Sequence, residues 1–344
     1  MTDVLLTVHN GLGRITLNRP KALNALTHAM VREIAAALTA WAPDDRIRAV
    51  VLDGAGERGL CAGGDIRSIY ADARSGGTAS LAFWADEYRL NARIDRYPKP
   101  YVALMDGLVM GGGVGVSAHG GPRVVTERSR IGMPEVGIGF VPDVGGTYLL
   151  SRAPGRLGTH VALTTAQLSG ADAIHCGLAD HFVPSDRLGA LVAALGDGGD
   201  PAEVVRSFAE TPPDSALAAQ ADWIDACYAA PTVAEILERL ADHGEAAVAA
   251  AKEIAGKSPT ALKVTLRALR SAAALPDLES VLAQEYRIAH ACLRSPDLVE
   301  GIRAQIIDKD RNPRWSPPTL EAVGDDLVDR FFTPLGDGEL RVGA

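Results

Sequence analysis

Between residues 47 and 120 a short apolar run twice ends in glycines and then continues into a helical or small-residue pattern. In the first case "IRAVVLDGAG" leads to "GLCAGGDIRSIYADA", where Asp65 stands in the N-cap position of the helix that follows. In the second, "YPKPYVALMDGLVMGGGVGVSAHG" passes from a strand through glycines into a segment suited to a tightly packed helix. Upstream, "VLLTVHNGLGRITLNRP" reads as two strands around a Gly-containing turn that stop at Pro20, and Thr27 is placed to cap a helix through "MVREIAAALTAWA". "PRVVTERSRIGMPE" adds a further strand. This alternation predicts a mixed α/β core of about 200 residues.

Past "HFVPSDRL" the texture changes. "GDGGDPAEVV" and "ETPPDSALAAQ" are turn-rich, and patterns such as "TVAEILERLADHGEAAVAAAKEIAG" and "LESVLAQEYRIAHACL" have helical periodicity. The expected organisation is a core over residues 1–190 and a mainly helical C-terminal region over 191–344.

A net charge of −9 argues against a nucleic-acid binder, which needs a basic face. Cys61, Cys176, Cys227 and Cys292 lie far apart, with no CxxC pair and no histidine at ligand spacing, so neither a disulfide framework nor a metal site is indicated. The N-terminal stretch lacks a basic region followed by a long apolar run, and no window approaches an uncharged membrane span. A soluble, untargeted, cytoplasmic protein is expected, with no nucleic-acid or membrane partner.

The chemistry concentrates in three places. Strand ends followed by glycines leave backbone amides open to a ligand and can form an oxyanion hole, although tight packing explains a single cluster as well. Gly113, Gly115 and Ala118 imitate a dinucleotide fingerprint only weakly, no phosphate-binding P-loop is present, and Ser117 lacks the last glycine of a hydrolase elbow. The third place is "MPEVGIGFVPDVGG", which sets Glu135 and Asp143, each directly after a proline, among apolar residues and glycines. A carboxylate so placed loses hydration and needs partners or a purpose, unless one acid caps a helix and the other lies on the surface.

In chain order, "LNRPKALNAL", "GLCAGGDI", "KPYVALMDGLVMGGGVGVSAHG", "MPEVGIGFVPDVGG" and "LTTAQLSGADAIHCGLADHFV" resemble the enoyl-CoA hydratase/isomerase (crotonase) superfamily. "KSPTALKVTLRAL" and "QEYRIAHACLRSPDLVEGIRAQIIDKDRNPRW" are similar to its 3-hydroxyisobutyryl-CoA hydrolase subgroup. The resemblance implies a crotonase-type (ClpP-like) α/β spiral of ββα units with a helical C-terminal region, and a site for an acyl-CoA thioester. It assigns the oxyanion hole to the N–H groups of Gly64 and Gly112. Hydratases of this superfamily carry two glutamates; here the first position is Gly115, Glu135 keeps the second, and Asp143 replaces a usual glycine. That exchange disfavours hydration and implies hydrolysis, with Glu135 as nucleophile or general base and Asp143 on the substrate's 3-hydroxyl. By the same resemblance, Arg19 and Lys21 meet the CoA phosphates, and the backbone around Ala62 and Asp65 meets its adenine. CoA is then substrate and product, no separate cofactor or metal is implied, and a homo-oligomer is compatible with the family.

Three readings follow. The first is a thioester hydrolase of valine breakdown acting on 3-hydroxyisobutyryl-CoA, with 3-hydroxypropionyl-CoA as a second candidate substrate. The second is an enoyl-CoA hydratase or isomerase, and the third a non-catalytic acyl-CoA-binding protein.

Overall fold

The computed structural model describes residues 2–342. The chain forms two compact units, each assembled from separated segments. One contains the residues up to Gly64, Asp86–Gly132 and Gln167–Ala216; the other contains Asp65–Ala85, Met133–Ala166 and the chain from Leu217 onward.

The first unit holds all the strands: β1 (Val4–His9), β2 (Leu12–Leu17), β3 (Ala49–Gly54), β4 (Tyr101–Met105), β5 (Leu108–Met110), β6 (Arg123–Val125), β7 (Arg130–Gly132) and β8 (His181–Phe182). A six-stranded sheet has the order β1-β2-β3-β4-β6-β8, and β5 pairs with β7 in a separate ribbon. β1 and β2 are antiparallel, with Val4 opposite Leu17 and His9 opposite Leu12. Asn10 and Gly11 turn the chain between them with φ of 50° and 79°, the left-handed pair that matches the twist of a two-residue hairpin. The other pairings are parallel. Every residue of β4 is buried, as a parallel strand covered on both faces requires.

Thr27 caps the helix His28–Trp41 as expected, its hydroxyl accepting from the Met30 N–H at 3.3 Å. The helices Leu188–Asp197 and Pro201–Phe208 belong to the sheet unit. Their apolar faces explain this: Leu191, Leu195 and Val205 pack with Val51, Val102, Leu104 and Val124 of the sheet.

The second unit is helical. Its longest helix, Pro259–Ala274, begins with Ser258 accepting from the Ala261 N–H at 3.0 Å and Pro259 in the first turn. It packs against the helices Gly146–Ser151 and Leu157–Thr164. These two approach so closely that a Cβ on Gly158 would stand 1.7 Å from the Leu150 carbonyl oxygen. No helix among the described residues is long and apolar enough to cross a membrane.

Candidate active site

In the sheet unit, the loop after β3 is fastened on both sides. The Leu26 N–H donates to the Gly63 carbonyl at 2.8 Å and the Ala62 N–H to the Leu23 carbonyl at 2.9 Å. Asn24, which is buried, accepts from the Arg19 N–H at 2.9 Å and donates to the carbonyls of Ala55 and Gly59 at 3.0 and 3.1 Å. Toward β5, the Cys61 N–H donates to the Leu108 carbonyl at 3.1 Å and the Met110 N–H to the Cys61 carbonyl at 2.9 Å.

This fastening brings Gly64 and Gly112 together. Gly112 opens the helix Gly112–Ser117, where an amide has no intrahelical acceptor. A Cβ added there would lie 3.3 Å from the Gly64 nitrogen. It would also lie 2.6 Å from Oε1 of Glu87, a carboxyl only 2% exposed on the helix Ala79–Asp95. Gly111 makes the turn into this arrangement with φ of 48°. Gly115 is buried inside a helix without a single charged residue. The neighbouring Cys61 is no nucleophile, because burial pushes its thiol up to about 12 and keeps it protonated at neutral pH.

The expected nucleotide-end residues divide. The Arg19 guanidinium donates to the Ala25 carbonyl at 2.6 Å and lies 3.7 Å from the Asp3 carboxylate, so it is engaged in shaping its own loop. Lys21 is exposed on the turn Pro20–Ala22. Arg58, a cation that sequence reasoning missed, donates to the carbonyls of Pro20 and Lys21 from the loop after β3. Ala62 lies on that loop, its N–H already committed to Leu23. Asp65 occupies the N-cap position of the helix Ile66–Ser75, but its side chain makes no capping hydrogen bond.

In the helical unit, Glu135 opens the 3-10 turn Glu135–Ile138, which Gly139 closes with φ of 72°. The Glu135 carbonyl accepts from the Phe140 N–H at 3.0 Å, and the Ser258 N–H donates to the Val136 carbonyl at 3.3 Å. Backbone contact fixes the turn further: a Cβ on Gly139 would stand 2.3 Å from the Asp297 carbonyl oxygen, and one on Gly301 2.4 Å from the Ile138 carbonyl carbon. The Phe140 ring stacks on Trp84 at 5.1 Å. Glu135 and Asp143 are both buried, at 7% and 5% exposure, so neither is a surface acid.

Residues 12–332 match the family described as enoyl-CoA hydratase/isomerase. The chain belongs to that family. It is 43% identical to a mitochondrial 3-hydroxyisobutyryl-CoA hydrolase of Danio rerio, over 99% of this chain and 92% of the relative. The Homo sapiens protein of the same name is 41% identical, over 98% and 90%. Among solved structures, one named as a carnitinyl-CoA dehydratase from Mycobacterium thermoresistibile is 56% identical with a TM-score of 0.96, over 100% of this chain and 99% of that one. Another, named as an enoyl-CoA hydratase from Rhodobacter sphaeroides, is 44% identical with a TM-score of 0.93, over 99% and 100%. The crotonase-type fold expected from the motifs is therefore present.

The cytoplasmic expectation is corrected by these relatives of the enoyl-CoA hydratase/isomerase family, since the curated hydrolases are named as mitochondrial. It rested on the cysteines and the absence of a leader pattern. The four thiols are free and buried, an arrangement that does not choose between compartments.

Glu87 escaped sequence reading because it lies in an unremarkable stretch, "LAFWADEYRL". The available signal was its position next to Tyr88 and one turn from Leu90 and Asn91, all of them buried.

Proposed function

We propose that this enzyme hydrolyses acyl-CoA thioesters bearing a 3-hydroxyl, with 3-hydroxyisobutyryl-CoA as substrate. The observation that carries the reading is the pair of buried acids Glu135 and Asp143, combined with an acid-free helix at Gly112–Ser117. The names of the curated relatives agree with it.

In this reading the amides of Gly64 and Gly112 stabilise the negative charge that develops on the thioester oxygen. Glu135 acts at the carbonyl carbon. It either takes a proton from the attacking water or attacks directly to form a mixed anhydride that water then opens. Collapse of the tetrahedral species breaks the C–S bond, and the CoA thiolate leaves and takes up a proton. Asp143 binds the 3-hydroxyl and assists that proton's transfer. Lys21, with Arg58 beside it, serves the phosphates of CoA, Arg19 holds the loop that presents them, and the backbone at Ala62 and Asp65 serves its adenine.

Asp143→Gly is expected to lower kcat/KM on 3-hydroxyisobutyryl-CoA by roughly 10- to 100-fold, the worth of a hydrogen bond to a charged group. Isobutyryl-CoA, which lacks the hydroxyl, should lose much less. Equal losses on the two thioesters would remove Asp143 from the hydroxyl.

A second reading, hydration of an enoyl thioester, has one specific observation in its favour. Glu87 places a buried carboxyl beside Gly112, a second acid in a chain whose Gly115 position lacks one. The names of the two solved structures point the same way. A paired assay separates the readings: free-thiol release from 3-hydroxyisobutyryl-CoA, and loss of the enoyl absorbance of crotonyl-CoA. Thiol release without hydration is the expected result, and hydration without thiol release would replace hydrolysis by the second reading.

A further inference from the structure

The segment that follows Asp143 adopts a backbone that its sequence does not favour. Val144 has φ of 51° and Gly145 φ of 79°, consecutive left-handed residues of which the first is β-branched. A valine there is a conformational outlier that persists only where its surroundings over-determine it. The Asp143 carbonyl takes part in the same turn by accepting from the Gly146 N–H at 2.6 Å. On the far side, a Cβ on Gly146 would stand 2.5 Å from Cε of Met133, so the backbone is also held by packing.

One side chain gathers the donors that this conformation presents. Glu285, on the helix Leu278–Cys292, accepts from the Gly145 N–H at Oε2, 2.7 Å away, and from the Thr147 N–H at Oε1, 2.9 Å away. The Thr147 hydroxyl donates to Oε1 as well. Glu285 is fully buried on a helix face it shares with Val281, Leu282, Ile288, Ala289 and Cys292. An apolar residue at this position would avoid the desolvation of a carboxyl, so its presence calls for a reason. These contacts all go to residues two to four positions beyond Asp143. Burial pushes the Glu285 carboxyl up to about 8 against the pull of its donors, and the negative charge of Asp143 pushes in the same direction as burial.

We propose that Glu285 is a positioning residue that holds the Val144–Thr147 backbone in its strained form and thereby aims Asp143 at the substrate's 3-hydroxyl. The inference rests on the role given to Asp143 above. Glu285 touches no substrate; its effect passes through the 143–147 backbone.

The test measures kcat and KM for 3-hydroxyisobutyryl-CoA and isobutyryl-CoA in the unsubstituted enzyme, in Glu285→Gln, in Asp143→Gly and in the double variant. Glutamine keeps the shape of the side chain but sets an NH2 group against a backbone N–H, so one clasp opens. Preference for the hydroxylated thioester should fall 10- to 100-fold in Glu285→Gln, and the same change should add nothing in the Asp143→Gly background. Equal loss on both thioesters, or full additivity in the double variant, would overturn the proposal. If Asp143→Gly itself leaves the preference intact, the role of Asp143 falls, which is a separate failure. Amide hydrogen exchange over residues 143–147 gives a readout that needs no turnover: faster exchange at Gly145 and Thr147 is expected in Glu285→Gln, and unchanged protection would also overturn the proposal. Should Glu285→Gln fail to fold, Thr147→Val removes one donor only and is expected to shift preference and exchange in the same directions by a smaller factor; no shift in either would count against the clasp.

Discussion

Exchange of Glu135 for Gln is expected to cut thiol release from 3-hydroxyisobutyryl-CoA by about 10²–10⁴-fold, the usual contribution of a positioned acid–base group. Glutamine matches glutamate in shape, and the turn that carries position 135 is fixed by backbone contacts with Asp297 and Gly301 that the substitution does not touch. The fold of this turn should therefore survive. What disappears is an oxygen able to take a proton or attack a carbonyl. Single-turnover thiol release, run beside a thermal melt, separates the two effects. A variant that melts like the parent and turns over nearly as fast would take Glu135 out of the chemistry.

Gly112→Ala is expected to cost about 10²–10³-fold in kcat, the scale seen when one oxyanion donor is lost. The backbone itself accepts alanine, because Gly112 is absent from the positive-φ glycines and alanine is the better helix former. The obstacle is space. The new methyl would sit 3.3 Å from the Gly64 nitrogen and 2.6 Å from the Glu87 carboxyl, in the place where the proposed oxyanion meets its donors. Steady-state kinetics should show the loss chiefly in kcat, and a thermal melt run beside them reads the cost of crowding the buried Glu87 and Leu26 side chains. Parent-like kcat would mean that the two amides face something other than a reacting oxygen.

The glycine run also shows what a sequence can and cannot disclose. Gly111, Gly112 and Gly113 look alike on the page. In the fold, Gly111 is required for a positive φ, and Gly113 because a Cβ would strike the Cys61 carbonyl at 2.6 Å, so backbone conformation explains the first and packing the second. Of the three, Gly112 is the one whose added Cβ would lie against the Gly64 nitrogen, at 3.3 Å. The hairpin at Asn10-Gly11 and the cap at Thr27 were legible because the deciding interactions are local. Glu285 was not, because its meaning depends on donors 138 and 140 residues earlier in the chain. Glu87 was hidden for the same reason, since only the folded chain brings it to Gly112. Helical periodicity at 188–208 gives a face but not the surface that face covers, which here is the sheet.

Asn24 carries one further consequence. Its side chain and the neighbouring backbone bonds stitch the turn bearing Lys21 to the loop bearing Ala62 through the chain's own hydrogen bonds. A molecule arriving at Lys21 therefore meets a surface whose conformational freedom was already surrendered during folding. Association at that turn should be governed by desolvation and charge, with little entropic cost of ordering the protein.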